Sequence, residues 1–222
     1  MNGKVTLTAL STPISDFYIE ETEAGAKLRH RQKTNTSWEI DFEINIPAWV
    51  FQTLFALQHN MPVPTITDTT VRHECERMWL LPAMPNEFLQ NEQKKMLQQG
   101  YFGIGGLRIR QTMGKHEEIG LKLGESKTSR AEWEEIIPPK IFTLLWLRTQ
   151  GRRISKTRLV LPFLGTKLEL DIVNRKHDSP LYLLEAEFKN QEELHRFRLP
   201  SWVIGAKEVT NDHAFENMNL AE

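Results

Sequence analysis

The chain has 222 residues, with 28 basic and 29 acidic side chains and a formal net charge of −1. This length suffices for one large domain or for one domain with an appendage, and the even charge balance argues against a general nucleic-acid binder, which is usually basic. The single cysteine, Cys75, cannot form an internal disulfide, so a cytoplasmic location is expected. The start of the chain lacks an apolar signal segment, and no apolar stretch approaches the roughly 20 residues of a membrane helix.

Residues 4–46 are predicted to be rich in β-strands. Apolar and polar residues alternate in stretches such as Phe17–Glu20, and two further alternating stretches flank a polar turn at 33–36, as in a hairpin. Pro47 is predicted to open a helix whose apolar residues recur close to every 3.6 positions. We therefore predict an N-terminal unit of strands plus one helix over residues 1–70.

A second and larger unit is predicted over residues 71–222. The expected strands are Glu74–Leu81, two strands between Gly100 and Gln111, His116–Leu123, Arg130–Ile137, 154–161, 167–173 and 181–188. The polar stretch Asn86–Gln99 is predicted to be mixed loop and helix. A helix is expected to begin at Pro138 and to end near Gly151.

The two units contain a similar stretch. Phe42–Pro47 and the apolar helix positions after it match Trp133–Pro138 and the helix after it, at one constant spacing. This similarity predicts that residues 1–70 are a partial, degenerate copy of the middle of the second unit. The alternative is that any junction between a strand and an amphipathic helix produces the same similarity, and the sequence leaves both open.

Six segments carry charged residues in pairs, with one uncharged residue between the two. The pairs are Glu74 and Glu76, Arg108 and Arg110, Glu132 and Glu134, Lys156 and Arg158, Glu169 and Asp171, and Glu185 and Glu187. Side chains two apart on a strand point to the same face. Six such strands of mixed sign predict a sheet that closes around a charged interior. An interior of this kind suits polyanions that bring a divalent metal ion with them.

Taken in order, these segments resemble the CYTH domain, the domain of the triphosphate tunnel metalloenzymes. Glu74–Met78 resembles the E-x-E-x-K strand that opens the domain, and Gly151–Arg158 resembles the G-R-R-x-x-K-T-R motif of small bacterial members. The other family segments follow in the family's order at Gln99–Phe102, Leu107–Arg110, Ile119–Lys122, Ser129–Glu134, Leu168–Asp171, Leu184–Phe188 and Lys207–Thr210. The resemblance covers about residues 73–222.

The resemblance implies an eight-stranded antiparallel β-barrel whose lumen is the active site, in a chain that is α+β and mainly β with peripheral helices. Members of the family hydrolyse inorganic tripolyphosphate or other triphosphates, or cyclise ATP, with Mg or Mn. We therefore expect metal-dependent hydrolysis of a short polyphosphate. The alternatives are a class IV-type adenylate cyclase and a thiamine or nucleoside triphosphatase. The expected partner is a triphosphate small molecule and not nucleic acid or membrane. The sequence does not decide whether the protein forms a homodimer.

The resemblance also suggests roles for the charged pairs. The candidate phosphate ligands are Arg108, Arg110, Lys122, Lys156 and Arg158. Arginine can grip phosphate with two parallel hydrogen bonds, and lysine supplies a point charge. The candidate metal ligands are Glu74, Glu76 and Glu187, because hard divalent cations prefer carboxylate oxygens. The candidate catalytic residues are Lys156, Arg158 and Glu134, and the candidate supporting acids are Glu132, Glu169, Asp171 and Glu185.

One position departs from the family pattern. The lysine of E-x-E-x-K is Met78 here, and it is expected to face the lumen beside Glu76 without contributing a charge. This departure favours a further alternative, a module that binds polyphosphate or a nucleotide without hydrolysing it. A basic residue of the N-terminal unit, at Lys27, Arg29 or Arg31, is a candidate replacement for the missing lysine.

Overall fold

The structure is a computed structural model that describes residues 4–7, 15–66, 71–89, 94–124, 128, 130–175 and 178–222. Ser129, which opens one of the family segments, lies outside the described residues. The N-terminal sheet is antiparallel and consists of β1 (Lys4–Thr6), β2 (Ser15–Thr22), β3 (Gly25–Lys33) and β4 (Trp38–Ile46), in that order. Pro47 then leads into α1 (Ala48–Gln58), because its fixed φ suits the start of a helix.

Eight further strands form the barrel. They are β5 (Arg72–Leu81), β6 (Lys94–Tyr101), β7 (Gly106–Thr112), β8 (His116–Leu123), β9 (Arg130–Ile137), β10 (Arg153–Phe163), β11 (Thr166–Asn174) and β12 (Leu181–Phe188). Their order is β5–β9–β8–β7–β6–β10–β11–β12, every neighbouring pair is antiparallel, and β12 pairs again with β5. The predicted closed barrel of eight strands is therefore confirmed.

Short elements lie around the barrel. They are α2 (Pro139–Trp146), α3 (Gln191–Arg196), the two-residue strand β13 (Lys207–Glu208), α4 (Asn217–Leu220), and 3-10 turns at Asn86–Phe88, Leu147–Thr149 and His213–Phe215. β13 adds to β5 beyond the point where β5 leaves β9. No helix of the described residues is long and apolar enough to cross a membrane.

The prediction of mixed loop and helix for Asn86–Gln99 agrees with the 3-10 turn at Asn86–Phe88 but was wrong from Lys94 on, where β6 begins. Leu97 and Gln99 on this strand point inward and are buried, whereas Met96 is exposed on the outside. Each face of this strand mixes polar and apolar residues, since Leu97 and Gln99 face the lumen and Met96 and Gln98 face outward. A pattern that assumes an apolar interior therefore misses the strand.

One hydrophobic core joins the N-terminal unit to the barrel. Phe17 and Leu28 of the N-terminal sheet belong to the same buried cluster as Leu107 and Ile119 on the outer face of β7 and β8, together with residues of α1 and α2. The N-terminal sheet is thus separate from the barrel in its hydrogen bonding but shares its core. It packs on the outside of β7, β8 and β9 rather than contributing a strand to the barrel.

The elements of the N-terminal unit follow each other in the same order as part of the barrel. Three strands, a proline and a helix form the series β2–β3–β4–α1, and the same series recurs as β7–β8–β9–α2. Phe51 and Leu54 of α1 and their counterparts Phe142 and Leu145 of α2 all lie in the shared core. The corresponding apolar faces of the two helices therefore contribute to one shared core.

Candidate active site

The barrel encloses a cavity of about 520 Å³ that is lined by charged side chains of both signs. Its cationic residues are Arg72, Lys95, Arg108, Arg110, Lys115, Lys122, Arg130, Lys156 and Arg158, and its acidic residues are Glu74, Glu76, Glu132, Glu134, Glu169, Glu185, Glu187 and Glu216. Every site residue named from the sequence lines this cavity except Asp171, which is fully buried behind two of the bases. The structure thus brings the charged pairs of six strands together around one space.

Strand register explains how the basic and acidic residues meet on one side of the lumen. On β8 and β9, Lys122 lies opposite Glu132 and Gly120 lies opposite Glu134. Gly120 occupies an inward-facing position, and a Cβ at Gly120 would lie 2.8 Å from the carbonyl oxygen of Trp133 and 3.1 Å from Cγ of Glu134. The absence of a side chain at Gly120 therefore lets β8 and β9 approach closely, with Glu134 beside the arginines of β7.

Glu134 holds the two arginines of β7 in place. Its Oε1 accepts hydrogen bonds from Nη2 of Arg108 at 2.6 Å and from Nη2 of Arg110 at 3.0 Å. Burial would raise the pKa of Glu134, but Arg110 and Arg108 outweigh burial and lower this pKa to about 2. A carboxylate with so low a pKa is a weak general base at neutral pH, so its geometry suits positioning of the arginines.

A second ion-pair network lies on β10, β11 and β12. Arg158 donates to both carboxylate oxygens of Asp171 at 2.7 Å and to Glu185 at 2.6 Å, and it also pairs with Glu169. Lys156 donates to Asp171 at 2.5 Å. Burial opposes ionisation of Asp171, but Arg158 and Lys156 outweigh it and hold the pKa of this carboxyl below its usual range. Asp171 therefore orients both bases from behind the cavity.

The carboxylates of β5 are paired with cations from β8 and β9. Glu74 accepts hydrogen bonds from Lys122 and, at 3.0 Å, from Nη2 of Arg130, which also donates to Glu76 at 2.5 Å. Burial works against ionisation of Glu74, but Lys122 and Arg130 outweigh it and lower its pKa. For Glu76 burial dominates, and the nearby charges of Glu74 and Glu185 add to it, so its pKa rises to about 7.

Acidic residues also face each other across two strand pairs. Glu76 on β5 is the direct partner of Glu187 on β12, and Glu169 on β11 is the direct partner of Glu185 on β12. Like charges opposite each other destabilise a sheet unless a cation lies between them. The oxygen donors here have the chemistry that Mg²⁺ and Mn²⁺ prefer. The oxygen donors of Glu74, Glu76 and Glu187, the ligands predicted from the sequence, therefore have a chemistry that suits a hard divalent cation.

These carboxylates are not gathered around a single point. Among the residues that the structure describes, no three His, Cys, Asp or Glu side chains are arranged to hold a metal ion. Glu74 and Glu76 are turned toward Arg130, and Glu187 pairs with Arg72 at 3.4 Å. A metal ion could bind these residues only after Glu74 and Glu76 exchange their cationic partners for it.

Met78 lies on the inner face of β5 but does not line the cavity. It is 1% exposed and belongs to an apolar cluster with Tyr101, Val173 and Leu183 that fills one end of the barrel interior. The side chain that replaces the family's lysine is therefore part of the packing at the closed end. The proposed replacements in the N-terminal unit do not reach the cavity, since Lys27, Arg29 and Arg31 are absent from its lining.

Several lining residues were not predicted. Arg130 shares the inward face of β9 with Glu132 and Glu134, so the same two-residue spacing that revealed these acids could have revealed it. Asn217, which accepts a hydrogen bond from Lys156 at 3.4 Å, comes from the C-terminal segment. No spacing rule could have placed Asn217 there, because the segment reaches the cavity only through the tertiary fold.

Comparison with known proteins gives one strong relative. The chain is 37% identical over 154 residues to the inorganic triphosphatase of Nitrosomonas europaea, which covers 67% of this chain and 96% of that protein. An inorganic triphosphatase of known crystal structure is 33% identical in sequence to this chain. The match covers 67% of this chain and 93% of that protein, with a TM-score of 0.48. A structure from Hippeastrum, described as an adenylyl cyclase with a dominant triphosphatase activity, is 19% identical over 55% of this chain and 82% of its own, with a TM-score of 0.41. No protein-family model matches the chain.

Proposed function

Because the chain belongs to the CYTH-domain family of triphosphatase-like proteins, we propose that it hydrolyses inorganic tripolyphosphate, or a related short polyphosphate, inside its barrel. Mg²⁺ or Mn²⁺ is the proposed cofactor. The observation that carries the proposal is the set of cations from β7, β8 and β10 that faces a single cavity. Cations placed around a phosphate chain neutralise its charge and stabilise the charge that develops on the leaving group.

The basic residues lie on both sides of β6 along the barrel wall. Arg108, Arg110 and Lys122 come from β7 and β8, and Lys156 and Arg158 come from β10. A phosphate chain lying across the inner face of β6 would contact both groups. The guanidinium groups would each offer parallel N–H donors to phosphate oxygens. This spread of cations along the wall supports a substrate that is charged along its whole length.

Arg158 can change partners without losing its orientation. Asp171 binds it from behind through two hydrogen bonds of 2.7 Å, while Glu169 and Glu185 occupy its other donors. Phosphate oxygens would replace Glu169 or Glu185 and leave the Asp171 pair intact. In our proposal Lys156 and Arg158 are catalytic residues in this sense, since they would touch the reacting phosphoryl group, and Asp171 is a positioning residue.

The proposed metal ligands are linked to phosphate binding through their ion pairs. Lys122 binds Glu74, and Arg130 binds both Glu74 and Glu76. A phosphate group that takes over Lys122 and Arg130 would release both glutamates to act as ligands together with Glu187. When bound, a divalent cation supplies charge neutralisation and polarisation of a phosphate oxygen. Phosphate binding should therefore raise the affinity for the cation, and cation binding should raise the affinity for phosphate by the same factor.

Phosphate release from purified protein tests this function. Tripolyphosphate, ATP and thiamine triphosphate would each be supplied with Mg²⁺ or Mn²⁺, and we expect the fastest release from tripolyphosphate and none after chelation of the metal. Arg158→Lys keeps the charge but loses the paired donors, so kcat/KM should fall about 10- to 100-fold. The matched control is Arg175→Lys, because Arg175 lies outside the cavity lining.

The opposite outcome would identify a binding protein. If the wild-type protein releases no more phosphate than Glu76→Gln does, yet still binds tripolyphosphate tightly, the chain binds polyphosphate without hydrolysing it. Folding of each variant would be checked by its melting temperature, so that lost activity is not confused with unfolding.

A further inference from the structure

The N-terminal unit contributes one side chain to the wall of the lumen cavity. Among the described residues before Arg72, Leu57 alone lines it. Leu57 lies in the last turn of α1, and Val50, Phe51 and Leu54 of this helix are buried in the core shared with the barrel. The helix is therefore anchored along one face, and Leu57 is held at a fixed place on the edge of the cavity.

Leu57 rests on the glycine turn between β6 and β7. A Cβ added at Gly105 would lie 2.7 Å from Cδ1 of Leu57, which is closer than carbon atoms approach each other. Gly105 also has a φ of +52°, a left-handed conformation that glycine adopts readily. At the next residue, Gly106, a Cβ would lie 2.4 Å from the backbone oxygen of Lys122. Leu57, the turn and the strand that carries Lys122 are thus in direct contact.

The wall at this edge differs from the rest of the cavity. Leu57 and Leu123 present apolar side chains, and the turn between β6 and β7 presents glycine backbone. Phosphate oxygens gain no hydrogen bond from such side chains. Tyr101, the aromatic residue among the described lining, is only 4% exposed and packs in the apolar cluster at the closed end. The side chains of Leu57 and Leu123 therefore offer neither hydrogen-bond donors for phosphate nor an open ring on which a base could stack.

We propose that Leu57 determines substrate specificity by filling the space in which an organic group attached to the phosphate chain would lie. The inference rests on the proposed function, because it concerns which phosphate compound enters the same cavity. A nucleoside or thiamine group next to Lys122 would collide with Leu57 and the turn beneath it. An unsubstituted chain ends before this edge and avoids the collision. The N-terminal unit thus restricts the barrel to inorganic chains.

Binding measurements on Leu57→Ala test the proposal without requiring turnover. The affinities of tripolyphosphate, ATP and thiamine triphosphate would be measured by calorimetry in the presence of Mg²⁺ on the full chain. Removing three carbon atoms opens space at the edge, so the affinity for ATP relative to tripolyphosphate should rise about tenfold. The affinity for tripolyphosphate itself should change less than about twofold, since its chain does not touch Leu57.

Two control variants distinguish the effect of the space opened at position 57 from an effect on the stability of α1. Leu57→Met keeps nearly the same volume, and Gln52→Ala changes an exposed position of the same helix. Neither should alter the affinity ratio. If Leu57→Ala lowers the melting temperature strongly, Leu57→Val gives a smaller opening and should change the ratio in the same direction.

The outcomes for the two proposals differ. An affinity ratio that stays unchanged or falls in Leu57→Ala and Leu57→Val overturns the role of Leu57, whatever the hydrolysis result. A wild-type protein that binds tripolyphosphate but releases no phosphate overturns the hydrolytic function, while the change in affinity ratio still supports Leu57 as the selecting residue. Failure of the wild-type protein to bind any of the three ligands overturns both proposals.

Discussion

Glu76 on β5 and Glu187 on β12 are direct cross-strand partners in the wall of the cavity. Two carboxylates in this relationship repel each other when both are ionised. Burial together with the charges of Glu74 and Glu185 already raises the pKa of Glu76 to about 7. A divalent cation held between β5 and β12 would remove the repulsion, which leads to the first prediction.

Mg²⁺ or Mn²⁺ should raise the melting temperature of the protein. A cation at 100 times its dissociation constant stabilises a folded protein by about 2.7 kcal/mol. Glu76→Gln and Glu187→Gln should each lose most of this stabilisation, because each removes a charged oxygen ligand. The measurement is thermal unfolding with metal and after chelation. Glu192→Gln, on the exposed face of α3, should keep the full metal effect, and an equal effect in all three variants would contradict the proposed ligands.

Glu134 should contribute stability that depends on pH. Its pKa in the folded protein is about 2, whereas an unfolded glutamate has a pKa of about 4.3. Because the folded value is the lower one, the contribution is present above pH 4.3 and is lost as the pH falls toward 2. At pH 7, Glu134→Gln should lower the free energy of unfolding by about 2 kcal/mol, since Arg108 and Arg110 lose a charged acceptor.

Urea unfolding at a series of pH values would measure this dependence. The difference between wild type and Glu134→Gln should shrink steadily between pH 5 and pH 2. Glu135→Gln serves as the matched control, because Glu135 is the next residue on β9 and is exposed on the outside. A difference that stays constant over this range would show that the pair with the two arginines does not stabilise the fold.

Introducing the family's lysine at Met78 should destabilise the protein and leave its activity unimproved. Met78 is 1% exposed and packs against Tyr101, Val173 and Leu183. Glu185 is the cross-strand partner of Met78 but is already paired with Arg158, so a lysine at position 78 would compete with Arg158 for this carboxylate, and burying its charge would cost about 3 kcal/mol or more. Thermal unfolding and phosphate release would be measured for Met78→Lys, with Met78→Leu as the volume-conserving control that costs less than about 1.5 kcal/mol. A higher kcat/KM at an unchanged melting temperature would contradict this prediction.

The N-terminal unit and the barrel should unfold together. Leu54 of α1 is fully buried in the core that contains Leu107 and Ile119 of the barrel, so Leu54→Ala should cost about 2–5 kcal/mol. Amide hydrogen exchange should become faster in β7 and β8 as well as in β2 and β3. Gln52→Ala, on the exposed side of α1, should leave exchange unchanged. Faster exchange confined to residues 15–58 would show that the N-terminal unit is an independent domain.

The proposal that residues 1–70 are a degenerate copy of the barrel's middle has a specific structural basis. The series β2–β3–β4–α1 recurs as β7–β8–β9–α2, and both helices follow a proline. The sequence similarity covers the last strand and the helix, and a further likeness of Leu28–Arg31 on β3 to Leu107–Arg110 on β7 does not share its spacing. The order of the preceding strands extends the correspondence of the elements, and the corresponding apolar residues of α1 and α2 lie in the shared core.

Much of the candidate site could be located from spacing alone. A strand places every second side chain on one face, so pairs such as Arg108 and Arg110 had to point the same way once they lay on a strand. Arg130 could have been found by the same rule. The rule failed for β6, where Gln99 faces the lumen, because a polar interior removes the contrast between inside and outside on which strand prediction depends.

Strand periodicity is a local property of the chain, so it placed most of the charged pairs on inward faces and indicated a closed sheet. Which of these charges meet depends on the tertiary structure. Asp171 lies behind Lys156 and Arg158, Met78 lies in the closed end, and Leu57 reaches the cavity from the N-terminal unit. These relationships depend on strand register, barrel closure and packing between distant segments, and each of them brings together residues that no local pattern connects.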